Sequence, residues 1–104
     1  MSLGLRDTDL EYIVQVLSKF PEIEKALIFG SRAKGTHKAG SDVDIAIVGE
    51  SITFDIISKV RFQLEEESPM PYFFDIVDYT HLEHLELKEH IDRVGKTIWD
   101  KKKV

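Results

Sequence analysis

The sequence predicts a small α/β domain in which helices lie over a sheet of about three strands. Three observations carry that prediction. Segments with helical apolar spacing alternate along the chain with short, continuous apolar runs. Turn and breaker residues separate them, at Pro21, Gly49, Ser68-Pro69 and Gly95. The 104 residues can enclose one core and leave no room for a second. Residues 1–104 are therefore read as a single domain, with 1–6 and 100–104 expected as frayed tails.

Taken in order, Asp7-Thr8-Asp9-Leu10-Glu11 opens the first helix, with Thr8 and Glu11 in capping-box spacing. Leu10, Ile13, Val14 and Leu17 form one apolar stripe, and Pro21 closes the helix by disfavouring helical geometry at Phe20. Residues 25–29 are apolar on both faces, which predicts a central strand. A short helical turn is expected over Ser31–Lys34, then a mobile polar connector from Thr36 to Gly40. The second strand runs from Asp42 to Val48. A helix from Thr53 to Glu67 buries Ile56, Ile57, Val60 and Leu64, and Glu65-Glu66-Glu67 is read as its solvated end. Tyr72 to Val77 is the third strand. Thr80 and Glu83 repeat the capping-box spacing before a last helix striped by Leu87, Ile91 and Val94. Gly95 ends it, and Lys96–Trp99 follows as a short extended piece or a frayed turn.

Composition narrows the function classes. Apolar residues make up 42% of the chain and charged residues 32%, which excludes a disordered chain. There is no cysteine, so disulfides and thiolate metal sites are excluded; this suits a reducing cytosol, and a cytoplasmic protein is expected. No stretch approaches the roughly 20 apolar residues of a membrane span. A net charge of −5 argues against broad nucleic-acid binding, with Lys101-Lys102-Lys103 read as a solvated tail.

The chemistry concentrates in Gly30-Ser31-Arg32-Ala33-Lys34-Gly35 and Ser41-Asp42-Val43-Asp44. Side chains alternate along a strand, so Asp42 and Asp44 share one face, about 6–7 Å apart, while Val43, Ile45 and Ile47 take the other. Two like charges on one face weaken the fold, and a hard divalent cation removes that penalty. Just upstream, a Gly-Ser turn leading into a helix offers backbone N–H groups and a hydroxyl to a phosphate. Carboxylates for a metal and a turn for phosphate together make a site for a metal–nucleotide complex. Asp75 lies inside an otherwise apolar strand, where a lone carboxylate is unfavourable unless paired or bound to metal. It is read as the third carboxylate, whereas Asp78 has the opposite parity and is read as a turn or cap residue.

Gly30-Ser31, ten residues, then Asp42-x-Asp44 resembles the signature of the DNA polymerase β-like nucleotidyltransferase superfamily. The fuller string, through Gly35 and Ser41, is similar to its minimal nucleotidyltransferase branch, and the resemblance spans about Asp7 to Trp99. It implies a nucleotidyltransferase fold with a mixed sheet. It also implies Mg²⁺-dependent transfer of a nucleoside monophosphate, AMP from ATP, to an acceptor hydroxyl. In that reading Asp42, Asp44 and Asp75 are catalytic and hold two Mg²⁺ ions, with Asp75 accepting the acceptor's proton. Gly30, Ser31, Arg32, Lys34 and Ser41 bind the nucleotide and its phosphates. Small members of this branch are commonly encoded beside a HEPN-domain partner, which implies a toxin–antitoxin pair with the HEPN toxin as acceptor. Two alternatives stay open: neutralisation of the partner by occlusion without catalysis, and transfer to a small molecule or an RNA end.

Other motifs fall away. Gly30-x₄-Gly35 lacks the Lys-Ser/Thr that a P-loop places at its second glycine, since Thr36-His37 stand beside it. His81 and His84 share a helix face without a third ligand and are read as solvated. No serine or threonine sits in a nucleophile elbow.

Overall fold

The computed structural model describes residues 3–38 and 40–103. Met1, Ser2 and Val104, within the expected tails, and Ala39, within the expected connector, lie outside the described residues. The elements are α1 (Asp7–Ser18), β1 (Lys25–Phe29), α2 (Gly30–Lys34), β2 (Val43–Val48), α3 (Phe54–Glu65), β3 (Phe74–Asp78), α4 (Leu85–Val94) and β4 (Lys96–Asp100). A 3-10 turn, Lys101–Lys103, follows.

The strands order as β3-β2-β1-β4. β1 pairs antiparallel with both β2 and β4, and β2 pairs parallel with β3, so the sheet is mixed. It has four strands rather than about three. The extra one is Lys96–Asp100, an edge strand with no fully buried residue and a register shift opposite Ala26/Leu27. Nothing in its composition alternates sharply enough to announce a strand. β1 holds the interior position that its two-sided apolarity predicts.

The two faces of the sheet are covered unequally. On one, Ala26, Ile28, Val43, Ile45, Ile47, Phe74 and Ile76 pack with Ile13, Val16 and Leu17 of α1 and with Ile56, Val60 and Leu64 of α3. On the other, Phe29 and Ala46 pack with Ile91 of α4, flanked by Leu27, Val77, Leu87 and Val94. This second cover is short. It covers Phe29 and Ala46, while Asp44 stays half-buried and Asp75 exposed.

Several caps differ from expectation. α1 is capped by Arg6, with Asp9 rather than Glu11 reaching back to the cap residue's N–H. The stripe is turned by about one residue, so Val16 is buried in place of Val14. Thr80 does not cap α4; its hydroxyl accepts from the Gly49 N–H at 2.8 Å, and His84 Nδ1 accepts the Leu87 N–H instead. α3 does start as expected from Thr53, whose side chain accepts from Ile56 N. Glu65 is not solvated: its carboxylate accepts the Phe74 N–H at 2.7 Å, tying α3 to the first residue of β3. Asp78 closes β3 and accepts from the His81 N–H, as a cap residue does.

Candidate active site

Pairing builds one row across the sheet. Phe29 of β1 lies opposite Asp44 of β2, and Asp44 opposite Asp75 of β3. Neighbouring strands stand about 4.8 Å apart, so the two aspartates occupy adjoining positions on the same face. Asp42 precedes β2 by one residue and stays exposed, as does Asp75, whereas Asp44 is half-buried. Asp75 stays exposed on β3, an edge strand; its anomaly in sequence reflects an exposed position rather than a buried charge.

The neighbouring charges act on Asp44. The Asp44 carboxyl is pushed up to about 6 from an ordinary value of 3.8. Burial is the largest cause, then the charges of Asp75 and Asp42, with Arg32 pulling the other way. Among the described residues no ion pair includes Asp44. Asp42, Asp44 and Asp75 thus bring like charge to one side of the sheet. Their hard oxygens are the donors Mg²⁺ takes, so the residues fit that ion by donor type and by charge. Among the described residues no three acidic, histidine or cysteine side chains are already gathered into a metal-holding set.

The phosphate side is built by the step from β1 into α2. Gly30 opens α2 at φ +73°, a left-handed conformation that suits glycine. A Cβ there would run into Asp44 Oδ2. Glycine thus lets the backbone turn and lets the carboxylate lie against it. The first N–H groups of α2 have no intrahelical partners, and Ser31 stands among them. Lys34 is exposed at the end of α2.

Two expected phosphate ligands are engaged elsewhere. Arg32 is 3% exposed. Its guanidinium donates to the carbonyls of Leu3 and Gly4, both at 3.1 Å, and of Ser41 at 2.7 Å. Its Nε donates to the Asp42 carbonyl at 3.4 Å, and its plane lies 4.8 Å from the Tyr72 ring centre. Arg32 therefore braces the loop that delivers Asp42. The Ser41 hydroxyl accepts from the Lys38 N–H, closing a turn of that loop. Sequence reasoning missed this clamp because its acceptors are carbonyls distant along the chain, which carry no side-chain signal. It also missed His90 of α4, whose ring meets Phe29 edge-on at 6.2 Å beside the carboxylate row.

Comparison with known proteins bears on the same region. Residues 11–104 match the family described as Polymerase beta, Nucleotidyltransferase. A Haemophilus influenzae protein named probable protein adenylyltransferase MntA is 28% identical over 102 residues, covering 97% of this chain and 88% of that one. Among solved structures, the chain superposes on a chain of a toxin–antitoxin crystal structure with AMP-PNP. That match has a TM-score of 0.73 and 20% identity, over 95% of this chain and 77% of the other. It also superposes on a chain of the Shewanella oneidensis complex of a tri-AMPylated HEPN toxin with an MNT antitoxin. There the TM-score is 0.72 and the identity 18%, over 95% and 76% of the two chains. These two likenesses establish the fold.

Proposed function

This chain belongs to the polymerase beta nucleotidyltransferase family, and on that footing we propose that it transfers AMP from ATP to a hydroxyl of a HEPN-type partner protein, as the antitoxin of a toxin–antitoxin pair. The observation that carries the reading is the row Phe29–Asp44–Asp75, with Asp44 raised by burial and then by its acidic neighbours, and lying against Gly30. The Haemophilus relative's name and the AMPylated toxin in the Shewanella complex support the choice of AMP and of a protein acceptor. The cytoplasm is the expected setting, and no helix among the described residues is long and apolar enough to cross a membrane.

Asp42, Asp44 and Asp75 would hold two Mg²⁺ ions, which when bound neutralise the triphosphate and acidify the acceptor hydroxyl. The Gly30-Ser31 turn receives the β- and γ-phosphates through its free N–H groups and the Ser31 hydroxyl. Lys34 is the exposed cation nearest in sequence to that turn. Arg32 acts indirectly, by fixing the carbonyls on either side of the Asp42 approach. Asp75 accepts the proton of the attacking hydroxyl. The new bond joins the acceptor oxygen to the α-phosphorus, the bond to the β-phosphate oxygen breaks, and pyrophosphate leaves.

The test is to incubate the HEPN-type protein encoded beside this chain with ATP, Mg²⁺ and the chain, then weigh it by mass spectrometry. A gain of one or more AMP units that disappears with Asp42→Ala is the expected result. Protection of the partner without any mass gain, unchanged in Asp42→Ala, would replace transfer by occlusion.

A further inference from the structure

Among the described residues four large apolar side chains are exposed, Phe54, Phe62, Phe73 and Leu85, and of these only Phe73 adjoins the carboxylates. It is 73% exposed and immediately precedes β3. Its carbonyl accepts the Val43 N–H at 2.9 Å, so the chain is already paired with the Asp42–Val43 step at that point. Exposure alternates along Phe73, Phe74, Asp75 and Ile76, outward then inward, which puts the Phe73 ring on the same face as Asp75. Phe74 N–H, on the outer edge of the sheet, is held by Glu65. The backbone carrying Phe73 and Asp75 is thereby anchored, while the ring stands in water.

Topology says which substrate this ring faces. β2 lies between β1 and β3, so the Gly30-Ser31 turn after β1 and the Phe73–Asp75 segment of β3 flank Asp44 on opposite sides. In an in-line phosphoryl displacement the attacking and leaving oxygens approach and depart from opposite sides of phosphorus. With the pyrophosphate oxygens on the Gly30-Ser31 turn, the attacking hydroxyl arrives over β3. We propose that Phe73 seats the acceptor protein, packing against an apolar side chain beside the hydroxyl that Asp75 deprotonates, and so sets acceptor specificity rather than nucleotide binding. This rests on the transferase reading above.

The experiment compares wild type, Phe73→Ser, Phe73→Tyr and the remote control Phe54→Ser. Three readouts are taken: Mg²⁺·AMP-PNP affinity by calorimetry, Kd for the HEPN-type partner, and the partner's KM in AMP transfer. Phe73→Ser is expected to raise the partner's Kd and KM at least tenfold and to leave AMP-PNP affinity within twofold. Phe73→Tyr should stay near wild type, and Phe54→Ser should change nothing. Tenfold weaker AMP-PNP binding with an unchanged partner KM would overturn the assignment and give the ring to the nucleobase. Unchanged values throughout would remove any role for Phe73 while leaving the transferase intact. Where wild type binds the partner but transfers nothing, the transferase reading falls and the partner Kd of Phe73→Ser still decides the seat. A partner that wild type neither binds nor modifies ends both.

Discussion

Asp9 and Asp44 are both withdrawn from bulk water, and the fold treats them in opposite ways. Asp9 is 3% exposed and accepts from the Arg6 backbone N–H, from Nε at 3.2 Å and from Nη2 at 3.0 Å. These bonds from Arg6 outweigh burial and hold its carboxyl below the usual carboxylate range. Asp44 is pushed up to about 6, by burial first and then by its acidic neighbours. The first carboxylate serves the fold, closing the N-terminus of α1. The second opposes the fold and suits a ligand that brings positive charge. A chain that compensates one buried aspartate so fully has the means to compensate the other, and the lack of it at Asp44 supports the proposed nucleotide site.

The largest effect separating the two concerns transfer. Asp44→Asn should lower AMP transfer about 10³-fold, since charge stabilisation of the transferring phosphoryl group by a bound ion is worth several kcal/mol. Asp9→Asn should leave transfer within a few fold. Equal losses would merge the two sites into one and break the comparison; rates from the mass-gain assay decide it. Gly30→Ala comes next. The left-handed backbone at this position costs a non-glycine residue about 1–2 kcal/mol, and the new methyl must displace the Asp44 carboxylate. Reduced denaturant stability together with a severe loss of transfer is expected, and a normal rate would detach Gly30 from the site.

Stability should move in opposite directions with pH. Asp44 has its folded value raised above the unfolded one, so the fold disfavours its charged form. Its contribution is most favourable below about 4, declines as pH climbs to about 6, and stays low above that. Asp9 has its folded value lowered, so its contribution is present above the unfolded value and is lost as pH falls through the folded one. Asp44→Asn should therefore stabilise the metal-free protein by about 1 kcal/mol at pH 7.5, after allowing for the solvent that reaches this carboxyl. At pH 4 it should do little. Asp9→Asn should cost about 1 kcal/mol at pH 7.5, in the range of a lost helix-terminus bond. Urea titrations at the two pH values check both signs. Added Mg²⁺ should raise the Tm of wild type at pH 7.5 and leave Asp44→Asn unmoved.

The contrast was half legible in sequence. Asp42, Asp44 and the Gly30-Ser31 turn could be read because their spacing ties strand parity to a phosphate-binding bend, and neither depends on distant contacts. Asp75 was singled out for a partly mistaken reason: a charge in an apolar run suggested burial, whereas the residue is exposed on an edge strand. The Arg6–Asp9 cap was hidden because arginine is not a preferred cap residue and Thr8-x-x-Glu11 offered the usual spacing two residues further on. Arg32 looked like a phosphate ligand, being a cation beside a turn; only folding brings the Leu3, Gly4 and Ser41 carbonyls around it. β4 stayed open between an extended piece and a frayed turn because an edge strand that buries no residue completely has little apolar pattern to show.

Glu65 gives the finest test, because it belongs structurally to the compensated region and functionally to the other. Its carboxylate satisfies the Phe74 N–H at the open edge of β3, one residue from both Phe73 and Asp75. Glu65→Gln keeps an acceptor oxygen and loses the charge, which weakens that bond by about 0.5–1 kcal/mol. If the bond steadies the Asp75 end of β3, amide exchange at Phe74 should quicken several-fold and transfer should fall by a similar factor, with Mg²⁺·AMP-PNP affinity little changed. Faster exchange with an unaltered rate would confine Glu65 to structure alone, beside Asp9. Glu66→Gln, one residue beyond the end of α3, serves as the control and should alter neither measurement.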